Sequence, residues 1–269
     1  MLDFSTDLGL QLFALMGLVA FVAGTIDSIA GGGGLIVVPA LLLTGIDPIM
    51  VLGTNKLQST FGSLSATLAF ARKGHLDLKK WAGLALISGI GSLFGAWLLT
   101  QFSSEWLLTL MPVLLLLIAG YFALSQSIGN VDAKARISAA VFGLTIVPLI
   151  GGYDGFFGPG TGAFFVLSIV TLRGLAVIPA TGLTKYLNFG SNVGALIFFI
   201  LSGKILWVLG LVMGVCQFAG AQLGSQLAMR VGAKLIRPLL VFISVAMALR
   251  LLLSAGHPFR STVSNFFGF

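Results

Sequence analysis

Gly24-Thr-Ile-Asp27-Ser-Ile-Ala-Gly31-Gly-Gly-Gly34-Leu-Ile-Val-Val-Pro39 sets one acid and four consecutive glycines inside a long apolar run. The chain repeats the arrangement about 127 residues later, at Gly151-Gly-Tyr-Asp154-Gly-Phe-Phe-Gly158-Pro159-Gly160-Thr161-Gly162. Glycine lets the backbone turn where a side chain would not, and Pro159 removes a donor from any helix that tried to continue. Broken backbone at membrane depth is tolerated only where protein or a cavity satisfies it. Two breaks at matching places in two halves point to paired substrate-site elements of a membrane transporter.

Composition agrees. Of 269 residues, 57% are hydrophobic and 9% charged, and the mean hydropathy is +1.07. A water-soluble domain carries about 25% charged residues, so the chain cannot cover itself with a water-exposed surface. The apolar runs are long and unbroken by polar alternation, which disfavours a transmembrane β-barrel and predicts helices. The net charge of +7 does not indicate nucleic acid, because the basic residues sit in short loops where they set topology. The single cysteine, Cys216, is read as packing. No basic residue precedes the first apolar run, so no signal peptide is expected.

Candidate segments are 8–30, 34–45, 50–70, 81–101, 106–126, 137–157, 162–172, 175–201, 205–227 and 235–254. The pieces at 34–45 and 162–172 are too short for a perpendicular crossing, which takes about 20 residues. The expected fold is an all-α polytopic membrane protein with about eight long helices and two short ones. It forms one transporter domain of two homologous halves, about 8–126 and 137–254, joined by the polar connector 127–136. The halves match in order: Thr54-Asn55-Lys56 with Thr184-Lys185, Phe61-Gly62-Ser63 with Phe189-Gly190-Ser191, Gly91/Gly95 with Gly220/Gly224, and Met111-Pro112 with Arg237-Pro238. Small residues four apart let helices approach closely.

Basic residues orient the halves. Arg72, Lys73, Lys79 and Lys80 follow the third segment, whereas the second half's cluster of Arg230, Lys234 and Arg237 comes one helix later. These clusters share a side with Lys134, Arg136 and Arg173 only if each half crosses an odd number of times. The positive-inside rule prefers that arrangement. The halves are then inverted repeats, with Lys204, Arg260, Asp3, Asp7, Asp47, Glu105 and the N-terminus outside. Each glycine-linked pair then either re-enters or crosses twice as short pieces; eight helices with parallel halves is the alternative.

The candidate site residues follow from the repeat. Asp27 and Asp154 are the acids placed well inside apolar segments, where an ionisable group is costly and faces protein or water. The functional readings are a carboxylate that handles a proton, a counter-charge, or an acceptor that holds the broken backbone; the structural one is a cap on the loosened helix end. Gly31, Gly32, Gly33 and Gly34 in the first half, and Gly160, Thr161 and Gly162 in the second, would offer backbone N–H groups at a half-helix start, suited to an anion. Lys56 and Lys185 would attract an anion as point charges, pair with Asp27 or Asp154, or snorkel to the interface. Asn55, Gln58, Asn188 and Asn192 are nearby amides; Ser59, Ser63 and Ser191 are small donors, and Tyr153 stands beside Asp154. No Gly-Lys-Ser/Thr phosphate loop follows either cluster. His75 and His257 belong to no metal-ligand set, and no nucleophile–base spacing occurs, so no catalytic residue, metal or cofactor is expected.

On Gly24 to Gly34, Leu52-Gly-Thr-Asn55-Lys56-Leu-Gln58 and Gly152-Tyr-Asp-Gly-Phe-Phe-Gly-Pro-Gly160, the chain resembles the sulfite exporter TauE/SafE family, the 4-toluene sulfonate uptake permeases, closest to its YfcA-like branch. The resemblance covers essentially residues 15–255. It implies a multi-pass transporter of the bacterial cytoplasmic membrane whose partners are the lipid bilayer and a small sulfur-containing oxyanion or organosulfonate, with proton coupling in some members. It carries the anion site onto Gly31–Gly34 and Asn55-Lys56. Thr184-Lys185 lacks the asparagine, with Asn188 as its spatial substitute. The expected function is secondary transport of sulfite or an organosulfonate, with Asp27 or Asp154 as the coupling carboxylate. A passive anion channel and a non-transporting scaffold are the alternatives. Transport direction and oligomeric state stay open.

Overall fold

The computed structural model describes residues 7–107 and 134–231, with isolated helical positions outside those ranges. The expected segment 235–254, most of 106–126, the Met111-Pro112/Arg237-Pro238 match, and Asp3, Lys234, Arg237, His257 and Arg260 lie outside the described residues. Within them the chain is helical throughout: α1 (Asp7–Ala30), α2 (Gly34–Leu42), α3 (Pro48–Arg72) and α4 (Leu78–Leu99), then α5 (Ala139–Phe156), α6 (Thr161–Arg173), α7 (Val177–Leu201) and α8 (Trp207–Val231). The boundaries fall within a few residues of those expected, and the reasons are local. Asp47 caps α3, accepting from the Ile49 and Met50 N–H groups, with Pro48 at the first helical position where its missing donor is harmless. Asp77 caps α4 through the Lys80 N–H. A π-turn at Phe142–Ile146 interrupts α5.

Polarity is reversed relative to a water-soluble protein. Leu10, Leu86, Leu144, Leu149, Val215 and Leu201 stand exposed, whereas Lys56, Lys185, Asp154 and Asn55 are buried. Four of the described helices, at Gly9–Ile29, Leu78–Leu99, Ala139–Phe156 and Trp207–Arg230, are long and apolar enough to cross a bilayer. α3 and α7 are as long, but they carry the polar residues and lie innermost. Buried polar groups on helices enclosed by apolar ones mark a functional interior.

Contacts give the directions. α3 and α7 run antiparallel: Phe70 meets Gly182 near one end, Asn192 Nδ2 donates to Ser63 Oγ (3.4 Å) midway, and Gly53 packs on Phe199 near the other. α8 runs parallel to α3, with the Leu206 N–H on Thr54 Oγ1 (3.0 Å) and Ser65 Oγ on the Phe218 carbonyl (2.7 Å). α4 runs parallel to α7, with Ser88 Oγ on the Leu187 carbonyl (2.9 Å) and Gly194 against Gly89. α1 follows α8, and α5 follows α4. In both cases glycines of the second helix receive backbone of the first: a Cβ at Gly220, Gly224, Gly91 or Gly95 would lie 2.0, 2.1, 2.4 or 1.9 Å from the carbonyl oxygens of Phe21, Thr25, Pro148 and Gly152 respectively. Hence α1, α3 and α8 point one way and α4, α5 and α7 the other.

These directions sort the charges. Arg72 and Lys73 at the end of α3, Lys79 and Lys80 at the start of α4, Arg136 and Arg173 beside α5 and α6, and Arg230 at the end of α8 share one end. Asp47, bonded to Ser104 (2.6 Å), and Lys204 share the other. Two apolar clusters bracket the α3–α7 crossing, one around Leu35, Leu52, Phe199 and Met213, the other around Phe70, Phe142, Phe165 and Leu187.

The close helix pairs make a testable point. Gly95→Ala is expected to lower stability by about 1–3 kcal/mol, because backbone cannot move aside as a flexible side chain can. Gly83→Ala, with open space around its Cβ, should be neutral or stabilising by up to about 1 kcal/mol. Thermal unfolding of the two variants in detergent separates them, and equal midpoints would contradict the close contact.

Candidate functional site

Each glycine cluster ends one helix and begins another. After α1, Gly31 turns through φ +78 and its N–H bonds the Asp27 carbonyl (2.7 Å); α2 then starts at Gly34. After α5, Gly158 and Gly160 take φ +96 and +84, a region open to glycine, and α6 starts at Thr161. The two breaks meet. A Cβ on Gly31 would lie 2.4 Å from the Gly162 carbonyl carbon, and one on Gly34 would lie 3.2 Å from Pro159 Cα. The starts of α2 and α6 are therefore brought together at the α3–α7 crossing.

Two ion pairs brace this meeting point, and they are crossed. Lys56 of α3 reaches Asp154 of α5 (Nζ to Oδ1, 2.8 Å), with side chains 1% and 3% exposed. Lys185 of α7 reaches Asp27 of α1 (Nζ to Oδ2, 2.9 Å), with side chains 1% and 14% exposed. The lysine that follows the first break in sequence thus holds the acid before the second, and the lysine after the second break holds the acid before the first. Of the options open in sequence, pairing is the one the structure adopts: neither lysine is an uncompensated cation, and neither snorkels. Around Asp154, Ser191 Oγ and Asn188 Nδ2 (3.3 Å) donate to Oδ2. Asp27 accepts the Gly33 N–H on Oδ1 (3.0 Å), and Lys185 donates to its backbone carbonyl as well. Asp27 therefore both pairs with a cation and holds the broken backbone.

A small cavity of about 20 Å³ lies between the breaks, room for roughly one water molecule. Its walls are Asp27, Gly31, Gly34, Asn55, Lys56, Ser59, Asp154, Gly158, Thr161, Gly162, Asn188 and Asn192, all drawn from the stretches and polar residues singled out in the sequence. Asn55 and Ser59 stand four apart on one face of α3 and bond each other (3.4 Å); Asn188 and Asn192 repeat that spacing on α7. Gly32, Gly33, Gly160 and Lys185 support the walls without lining them. Gln58 turns away altogether, donating through Nε2 to Gln217 of α8. Gln217 is the partner sequence reasoning missed, since nothing in its apolar surroundings marks it. Tyr153 does not line the cavity either; its hydroxyl donates to the Pro159 carbonyl (2.6 Å). Among the described residues no group of His, Cys, Asp or Glu could hold a metal ion.

A profile of the sulfite exporter TauE/SafE family matches residues 16–251. The chain belongs to the sulfite exporter TauE/SafE family. Among curated relatives it is 54% identical to the probable membrane transporter protein ORF9 of Sinorhizobium sp, over 94% of this chain and 97% of that one. It is 43% identical to the probable membrane transporter protein YfcA of Escherichia coli K12, over 90% of each, and 42% identical to a probable membrane transporter protein of Haemophilus influenzae, over 93% and 98%. No solved structure matches the chain. This TauE/SafE protein is accordingly a multi-pass transporter of the bacterial cytoplasmic membrane, not an enzyme.

Proposed function

We propose that this TauE/SafE protein is a secondary transporter that carries a small anion, sulfite or an organosulfonate, through the cavity where the breaks meet. The observation that carries the reading is the meeting of Gly31 with Gly162 beside two crossed Lys–Asp pairs. Helix starts present N–H groups and positive dipole ends, Asn55, Ser59, Thr161, Asn188 and Asn192 supply directional polar groups, and the lysines supply charge once released from their partners. The name of the matched family supports sulfite as the first substrate to try.

The helix directions support one domain of two inverted repeats, about 8–126 and 137–254. α1 packs on Gly220 and Gly224 as α5 packs on Gly91 and Gly95, and the corresponding helices α3 and α7 are antiparallel. Since α1 and α3 point the same way, α2 must lead the chain back, which favours a re-entrant segment; the same reasoning applies to α6 between α5 and α7. With the basic end facing the cytoplasm, the N-terminus lies outside. So small a cavity favours a carrier, whose halves rock around the site, over a passive channel.

Proteoliposomes carrying the protein are expected to show saturable counterflow of labelled sulfite. Asn55→Asp should reduce it about tenfold or more, since a carboxylate in place of an amide donor repels the anion, and 1.4 kcal/mol already corresponds to a factor of ten. Sulfite flux that never saturates, with single-channel currents, would replace the carrier by a pore. Flux that is unaltered in a correctly folded Asn55→Asp would move the site elsewhere.

A further inference from the structure

The two breaks are built alike in sequence but secured by different groups. The second is held without help from its acid: Tyr153 donates to the Pro159 carbonyl (2.6 Å) and Thr161 Oγ1 to the Gly158 carbonyl (2.7 Å), while Asp154 gives its oxygens to Lys56, Ser191 and Asn188. The first is held by its acid. One oxygen of Asp27 takes the Gly33 N–H and the other takes Lys185, and Gly33 sits so close that a Cβ there would lie 2.8 Å from Asp27 Cβ. Ile26 precedes Asp27 where Tyr153 precedes Asp154, so no tyrosine hydroxyl is placed to hold the first break, and the neighbouring Thr25 hydroxyl goes to the Phe21 and Gly220 carbonyls instead. Any change in the Asp27 carboxylate is therefore felt by the backbone of the first break, and a change in Asp154 is not felt in this way by the second.

We infer that Asp27 is a displaceable carboxylate: a substrate anion takes its place on Lys185, Asp27 takes up a proton, and the first break, released at Gly33, is the moving gate. The inference rests on the cavity being the substrate site. Charge balance gives its sign. The charged groups facing Asp27 are Lys185 from α7 and, across the cavity, Lys56 from α3 and Asp154 from α5. α8 meets this stretch of α1 through Gln217, Ala221 and Gly224, and α6 through Gly162. The enclosed set is two cations against two anions. A singly charged substrate adds one negative charge in surroundings where an unpaired charge is costly. A proton passing from bulk water to an Asp27 oxygen restores neutrality, leaving Lys185 with the substrate and Lys56 with Asp154. Asp27 is the acid suited to this, because its side chain is 14% exposed and that of Asp154 is 3% exposed. A neutral acid is also a weaker acceptor for the Gly33 N–H than a carboxylate, so proton uptake loosens the break.

Two measurements test the assignment. In weakly buffered, mildly acidic detergent solution with a pH-indicator dye, where sulfite is the singly charged hydrogensulfite ion and does not itself titrate, sulfite added to the wild-type protein should draw in protons, and Asp27→Asn should bind sulfite with no uptake. Lys56→Met with Asp154→Asn, which removes one charge of each sign and leaves the Lys185–Asp27 pair, should still take up a proton with each sulfite bound. Uptake by Asp27→Asn, sulfite binding to that double variant without uptake, or sulfite binding to wild type without uptake would each overturn the proposal. The second measurement needs no ligand: amide hydrogen exchange at 31–35 should rise about tenfold or more in Asp27→Ala, while exchange at 157–161 should be unchanged in Lys56→Met with Asp154→Asn, which removes the acid without leaving a buried lysine unpaired, and raised in Tyr153→Phe. Equal loosening of both breaks by loss of their own acids would overturn the asymmetry. Failure of sulfite to bind wild type, with the exchange pattern as expected, counts against the substrate reading and leaves the clamp standing.

Discussion

Lys56→Ala should lower stability by about 3–5 kcal/mol, because it leaves the Asp154 carboxylate buried without its cation. The pair is buried, with side chains 1% and 3% exposed, and the roughly one water that the adjoining cavity can hold does not compensate a full charge. Ser191 and Asn188 remain on Asp154, but neutral donors do not compensate a full charge in these surroundings. Removing both charges, as in Lys56→Met with Asp154→Asn, should recover most of the loss, since replacing a buried ion pair by neutral groups is often neutral. Transport should not return with stability, because the cavity has then lost half its positive charge. Thermal unfolding in detergent and sulfite counterflow, run on the same preparations, read the two effects separately. Lys185→Ala should cost less, about 1–3 kcal/mol, because Asp27 keeps the Gly33 N–H and is partly exposed. A wild-type midpoint for Lys56→Ala would mean that the pair does not form in the folded protein.

Gly31→Ala should abolish transport and destabilise by several kcal/mol. Two costs fall on one residue. Its φ of +78 is a conformation that costs a residue with a Cβ about 1–2 kcal/mol. The added carbon would also lie 2.4 Å from the Gly162 carbonyl carbon and 2.5 Å from the Ala163 nitrogen, so the breaks must part. Gly45→Ala separates the two costs, since Gly45 has φ +80 with nothing within 4 Å of an added carbon. It should show only the backbone cost and transport normally. Comparison of unfolding midpoints and counterflow rates checks both expectations; equal behaviour would mean that the breaks are not in contact.

Much of the fold was legible because membrane burial imposes long apolar segments, and interruptions in them stand out. The acid and four glycines of Asp27–Gly34, and their recurrence around Asp154, gave the breaks and the helices that flank them. The loop charges gave an orientation compatible with the observed helix directions. The candidate site was legible in kind: Asn55, Lys56, Thr161 and Asn188 line one cavity. Gln58 misled, because proximity in sequence to Lys56 does not say which face of α3 a side chain occupies; two positions on, it points to α8 and Gln217.

What sequence alone determined is that this chain lives in a bilayer, breaks its backbone twice and places an acid before each break and a lysine after it. Those are consequences of composition and local covalent geometry. Which lysine meets which acid was settled only by tertiary structure. The antiparallel crossing of α3 and α7 carries Lys56 to Asp154 and Lys185 to Asp27, exchanging the partners that linear order would have joined. Tertiary structure also separated the two acids, giving one to the backbone of Gly33 and the other to Ser191 and Asn188. The physical reason is that a buried charge takes its role from the partners packed around it, and neighbouring helices rather than neighbouring residues supply most of those partners.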